Sequence, residues 1–177
     1  VALIGHSWGG AVVLLAGLEP FVSRVVAIDP MVRVMPGTWR AEYLEDAEHD
    51  LALAWPQREA EIRERLRAWH RDDVAGKLHA VRSMQAASIE RLGDDNGVEQ
   101  GRWDLRPSLR SYPKPLLVLA AAPAESTLSA DDVVFLRTQS GPHVRLEFFN
   151  DQGHNLHRTA FDRYIERTAA FLTPAEK

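Results

Sequence analysis

The chain has no cysteine among its 177 residues, which rules out disulfides, thiolate metal centres and a cysteine nucleophile. It says little about compartment, since both cytosolic and exported proteins can lack cysteine. A cytoplasmic location is the working expectation. Positive charge is also in short supply: 21 Lys and Arg against 25 Asp and Glu give a formal net charge of -4, with no basic footprint for nucleic acid or an anionic membrane surface. No apolar run reaches the roughly 18 residues of a membrane span, because Glu19, Pro20 and Arg24 interrupt the first candidate. What remains, at 45% hydrophobic and 26% charged residues, is an ordinary globular composition with enough apolar material for a core.

The apolar segments alternate in period. Val1 to Ile4 reads as a short buried strand, Ala11 to Leu18 as a helix and Ser23 to Ile28 as a second strand ended by Asp29 and Pro30, a βαβ unit. From Thr38 to Asn96 the texture becomes charged and helical. Leu44, Ala47, Leu51 and Trp55 recur at helical steps, as do Ile62, Leu66 and Trp69, and then Val74, Leu78, Val81 and Met84, with breaks at Pro56 and Asp72-Asp73 and a turn at Asp94 to Gly97. Three amphipathic helices are expected there. Strand character returns in PLLVLAAA from Pro115 and again in VRLEFF, Val144 to Phe149. Between these, Ser129 and Asp132 have the spacing of a capping box. A last helix follows, with Phe161, Ile165, Thr168 and Leu172 on one face. The expected fold is α/β: a mostly parallel sheet flanked by helices, with a helical cap inserted between the second and third strands. The expected division is core over 1–37, cap over 38–112 and core again over 113–177.

Gly5, Ser7 and Gly9 within GHSWGG fit Gly-x-Ser-x-Gly between an apolar strand and an apolar helix. A serine on such a turn has an exposed hydroxyl, and the amide after it, here Trp8, points at a developing oxyanion. Small neighbours two positions on either side let the strained backbone pass close to adjoining elements. Neither a P-loop Gly-Lys-Ser/Thr nor a dinucleotide fingerprint is present. A serine nucleophile needs a base, and His154 lies in the loop after the last strand, 147 residues beyond Ser7. His157 is a rival better suited to orienting or capping, and His6 to packing under the turn. A metal pair of these histidines lacks a third ligand, and metal is not expected. His49, His70, His79 and His143 read as surface or cap residues.

GHSWGG, the Asp-Pro after the next strand, PLLVLA and GHNLHR together resemble the second half of an α/β-hydrolase, and the resemblance covers nearly the whole chain. It implies a Ser-His-acid triad with Ser7 and His154 at the matching positions, a compact helical lid and no required cofactor. Relatives usually carry their acid in the loop after the strand equivalent to LLVLA. Here that loop reads AAAPAEST, with Ala122 and Ala124 where an aspartate often stands. Glu125 is the carboxylate available in that loop and Asp29 the second candidate, since some relatives place their acid after the preceding strand. Against them stand a solvated loop glutamate and a strand-ending Asp-Pro turn. The resemblance further implies about four strands and one helix upstream of Val1. Without them, the first strand is expected to present an unpaired apolar edge, and the chain alone to be marginal or to aggregate.

The leading functional expectation is a serine hydrolase acting on an ester, thioester, lactone or similar small acyl substrate. Trp39, Trp55 and Met84 on the cap are candidate pocket residues, weighed against service as cap core. The alternatives are an acyltransferase or perhydrolase with the same nucleophile, and a catalytically silent relative that binds a ligand or partner. A dehalogenase would need a carboxylate where Ser7 stands. The expected partner is a small acyl molecule, with neither nucleic acid nor a membrane expected.

Overall fold

The computed structural model describes residues 1–173, apart from the side chains of Glu42 and Asp46. The chain divides into two compact units, one formed by Val1–Arg33 with the chain from Asp104 onward and the other by Val34–Trp103. The second runs from 34 to 103, where the cap is expected over 38–112; residues 104–112 group with the first unit, where Leu105 N donates to Val32 O, and Ser111 N and Tyr112 N donate to Gln139 O and Ser140 O.

The first unit is built on four parallel strands in the order β1 (Ala2–His6), β2 (Arg24–Ile28), β3 (Leu116–Ala121) and β4 (Val144–Phe149). The two central strands are the continuously apolar ones. All of β3 and four of five residues in β2 are buried, whereas in the outer strands only Phe149 of β4 is buried and β1 is exposed or half-buried throughout. That is the pattern of a parallel sheet covered on both faces at its centre. Val26, Ile28, Leu117, Leu119 and Ala121 share one core with Phe149, Leu156 and Phe171. Leu156 opens the short helix α8 (Leu156–Thr159), and Phe171 lies on α9 (Phe161–Leu172). Among the described residues β1 pairs on one side, and Val1, Ile4, Val12 and Leu15 near it are exposed.

Helix α1 (Trp8–Ala16) starts three residues earlier than its apolar run suggests, so the glycine pair Gly9-Gly10 forms its first turn. Close packing explains two of the glycines there. A Cβ on Gly5 would lie 2.2 Å from the Gly9 carbonyl oxygen and 2.8 Å from Val13 Cγ2, and one on Gly10 would lie 2.9 Å from Pro30 Cβ. Gly9 itself faces open space, so Gly10, and not Gly9, is the tight position after the serine. Gly5→Ala is therefore expected to cost roughly 1–3 kcal/mol by overpacking. Gly9→Ala should be neutral, or stabilising by up to about 1 kcal/mol through helix propensity. Thermal melts of the two variants should move apart by several degrees; equal melting temperatures would contradict the packing.

The second unit is helical. A π-helical stretch, Arg40–Leu44, runs into α2 (Glu45–Ala52), followed by α3 (Trp55–Arg65), α4 (Arg71–Ser83) and α5 (Ala86–Asp95). The sequence suggests three helices where four helical segments stand. Pro56 lies in the first turn of α3, where a proline is tolerated, so the break it marks falls just before it, at Leu53-Ala54. The segment AASIERLGDD is a separate helix, with Gly93 fitted against the Trp39 indole. The first unit also contains α6 (Arg106–Leu109), a single turn, and α7 (Ala130–Gln139) with its expected Ser129-Asp132 capping box.

Candidate active site

Ser7 is the single residue between β1 and α1, and its backbone sits at φ 58°, ψ -122°, a conformation an L-residue adopts only when its surroundings impose it. The surroundings are three hydrogen bonds. Ser7 N donates to Ile28 O (3.0 Å), and Ser7 O accepts from Ala11 N (3.1 Å) and Met31 N (3.2 Å). The hydroxyl makes no capping bond to its own helix. Trp8, the first residue of α1, carries the next amide.

Ile28 is the last residue of β2, so the same bond that seats Ser7 brings the next residue, Asp29, to this end of the sheet. Asp29 is fully buried and adopts a left-handed φ of 40°. Its Oδ2 accepts from His154 Nδ1 at 2.6 Å. Further donors hold the carboxylate: Ala121 N and Ser126 Oγ reach Oδ1 at 3.0 and 2.5 Å, and Thr127 N and Oγ1 reach Oδ2 at 3.0 and 3.5 Å. Burial on its own would raise the Asp29 pKa, but the bonds from His154, Ser126, Ala121 and Thr127 together outweigh it and hold the group below the usual carboxylate value. An ionised Asp29 requires the imidazole proton on Nδ1, which leaves His154 Nε2 with its lone pair free to act as a base.

The loop after β3, which lacks an aspartate, thus supplies donors to the aspartate of the neighbouring strand. Of the two acid candidates, the carboxylate that meets the His154 ring is Asp29, the second, and not Glu125. Glu125 is exposed, its Oε2 packed against Gly153, while Asp29 meets the ring. The physical reason is reach: Asp29 projects from the end of a central strand into a cluster of amides, and Glu125 turns along the loop surface.

His154 has two other imidazoles for neighbours. The His6 ring lies 4.4 Å from that of His154 and 4.3 Å from that of His157, and His6 Nε2 is 2.9 Å from His154 O. His157 does not cap a helix. It sits within α8 and accepts at Nε2 from Arg158 Nε (3.2 Å), with Nδ1 buried and unpartnered. Burial first, then neighbouring positive charge, lowers His6 to about 4 and His157 to about 3 from the ordinary 6.5. Both are neutral at pH 7. His49, His79 and His143 are exposed, and His70 Nδ1 accepts from Asp72 N at the start of α4.

These shifts give a pH dependence of stability. Unfolding frees both histidines to bind protons below their ordinary pKa, so stability is intact above about pH 6.5 and declines as the pH falls toward 4. Asp29 has the same sign at lower pH: its contribution, present above about pH 4, is lost as the pH falls further. Between pH 7.5 and pH 5 the loss from His6 is about 1–2 kcal/mol after allowance for solvent screening. Denaturant melts at the two pH values measure the combined loss from His6 and His157, and equal midpoints would contradict neutral burial.

The three cap candidates lie in the helical unit, where each is engaged in packing. Trp39 is 5% exposed and donates from Nε1 to Ile89 O. Trp55 and Met84 pack against Ile62, Leu66, Val74, Leu78 and Val81, with the Arg82 guanidinium 4.3 Å above the Trp55 ring. Among the described residues no group of three or more His, Asp or Glu could hold a metal ion, and no helix is long and apolar enough to cross a membrane.

A sequence model of the alpha/beta hydrolase family matches residues 1–170. Curated protein sequences give no match. Among solved structures, the chain is similar to the N-formylmaleamic acid deformylase of Pseudomonas putida S16 (TM-score 0.68, 17% identity), with 96% of this chain and 66% of that one covered. It is also similar to an esterase from Exiguobacterium antarcticum (TM-score 0.62, 16% identity, 97% and 66% covered) and to a bromoperoxidase from Bacillus anthracis (TM-score 0.66, 13% identity, 97% and 67% covered). The chain spans about two thirds of the length of these structures.

Proposed function

The chain belongs to the alpha/beta hydrolase family, and from that premise we propose that it carries the catalytic centre of a serine hydrolase acting on a small ester, thioester or lactone, with Ser7 as nucleophile, His154 as base and Asp29 as acid. The observation that carries the reading is the 2.6 Å bond between His154 Nδ1 and a buried, multiply hydrogen-bonded Asp29, made where the backbone is strained to present Ser7.

In this reading His154 Nε2 takes the proton of the Ser7 hydroxyl as Oγ attacks the substrate carbonyl. Asp29 stabilises the imidazolium, and the Trp8 amide faces the oxyanion. His154 then returns the proton to the departing alcohol or thiol, leaving an acyl group on Ser7. Water, deprotonated by the same Nε2, attacks that acyl group, and collapse of the second tetrahedral intermediate releases the carboxylic acid and restores Ser7. Sequence alone offers the missing loop aspartate as an argument for a silent relative. The 2.6 Å contact between Asp29 and His154 supports a retained acid and weighs against that alternative.

Rapid-mixing hydrolysis of p-nitrophenyl acetate and butyrate tests the reading. A burst of p-nitrophenol stoichiometric with protein, followed by slower turnover, is expected. Neither burst nor turnover from folded protein would overturn it. Added alcohols or hydrogen peroxide that divert the acyl group in preference to water would favour the transferase or perhydrolase alternative.

A further inference from the structure

His6 is the residue immediately before the proposed nucleophile, and its contacts go to the loop of the proposed base. Its Nε2 lies 2.9 Å from the main-chain oxygen of His154, a bond that a carbonyl acceptor requires the imidazole to donate. One ring neighbour is His154 at 4.4 Å and the other is His157 at 4.3 Å, so the imidazole is held between the two. We propose that His6 is a positioning residue which ties the backbone of His154 to the strand end that carries Ser7, fixing the base relative to the nucleophile. The inference rests on the serine-hydrolase reading and adds to it a residue that touches neither the substrate nor the reacting atoms.

Two further observations give the tie its form. His157, which packs on the same ring, has its Nε2 committed to Arg158 Nε and is kept neutral by burial, so the stack adds no cation beside His154. His6 is neutral for the same reason. When His154 accepts the Ser7 proton it becomes an imidazolium, and a charged His6 at 4.4 Å would oppose it. The charged or titratable groups acting on His6 are His154 and Arg158, which oppose a proton on it, and Asp29, which favours one; those acting on His157 are His6, Arg158 and His154. A donor without charge meets both requirements. Glutamine supplies one from its amide, whereas alanine supplies none and lysine supplies one with a permanent charge.

The test compares His6→Gln, His6→Ala and His6→Lys by the rate of fluorophosphonate labelling between pH 5 and 9, with Ser7→Ala and His154→Ala as references. Melting temperature and active-site titration are recorded for each. His6→Gln should stay within about fivefold of wild type. His6→Ala should label 10- to 100-fold more slowly per folded molecule, and His6→Lys should in addition move the acidic limb of the pH profile to lower pH, because its charge disfavours the imidazolium form of His154. A purely structural role would lower the melting temperature while leaving the rate per active site unchanged in all three, and would overturn the proposal. If Ser7→Ala or His154→Ala labels like wild type, the hydrolase reading itself fails. If both abolish labelling while His6→Ala labels normally, only this proposal fails. Should the His6 variants not fold, the nitrogen-15 spectrum of wild type decides: the Nε2-protonated tautomer of His6 is expected, and the Nδ1-protonated tautomer would overturn the tie.

Discussion

Asp29→Asn is expected to slow acylation of Ser7 by about 10⁴-fold, the scale on which a triad base loses function when its orienting carboxylate becomes an amide. The asparagine amide can donate to His154 Nδ1, which shifts the ring proton to Nε2 and leaves no lone pair facing the serine. The other partners of Asp29 aggravate the change. Ala121 N, Ser126 Oγ and Thr127 N all donate to it, so an NH₂ group in either orientation meets at least one N–H or O–H head-on. Each donor left buried without an acceptor costs about 1–3 kcal/mol, so the variant should also melt lower. Glu125→Gln is the matched control. Its carboxylate packs on Gly153 outside the hydrogen bonds of the ring, and less than a threefold change in labelling is expected. A loss comparable to that of Asp29→Asn would return the acid role to the β3 loop.

Replacing Ser7 separates activity from stability. Both Ser7→Ala and Ser7→Gly remove the nucleophile and should reduce turnover by about 10⁶-fold, the scale seen when a serine nucleophile is deleted. Their stabilities should differ. The φ of 58° and ψ of -122° remain costly for alanine, whereas glycine has no Cβ to oppose them. Because the hydroxyl makes no helix-capping bond, its removal forfeits none of that kind. Ser7→Gly is therefore expected to melt above Ser7→Ala by the equivalent of about 1–3 kcal/mol, several degrees for a domain of this size. Equal melting temperatures would mean that the turn is not strained.

The sheet was legible because its central strands are buried on both faces and so read as unbroken apolar runs, as RVVAI and LLVLAA do. The strained turn at Ser7 was legible because a short motif sits between two such periods, and the loop of His154 because it follows the last of them. The contact between Asp29 and His154 was less so, for a physical reason. Asp29 precedes Pro30 and has the local form of a strand-ending turn, and its role depends on donors more than 90 residues away at Ala121, Ser126 and Thr127. Composition at position 29 carries no trace of those partners. The Ser-Thr pair in AAAPAEST was the available signal: a loop without a carboxylate but with a hydroxyl and amides to offer one. The fourth helix of the helical unit was hidden by weak local propensity, since Gly93, which lies close to the Trp39 indole, lowers the helical appearance of AASIERLGDD while satisfying its packing.

The central claim is that Ser7 is an activated nucleophile whose base is held by Asp29. Fluorophosphonate labelling located by mass spectrometry, in wild type, Asp29→Asn and Glu125→Gln side by side, tests it most directly. The account predicts one adduct, on Ser7, forming at similar rates in wild type and Glu125→Gln and about 10⁴-fold more slowly in Asp29→Asn. An adduct on another residue, or equal labelling of wild type and Asp29→Asn, would contradict it.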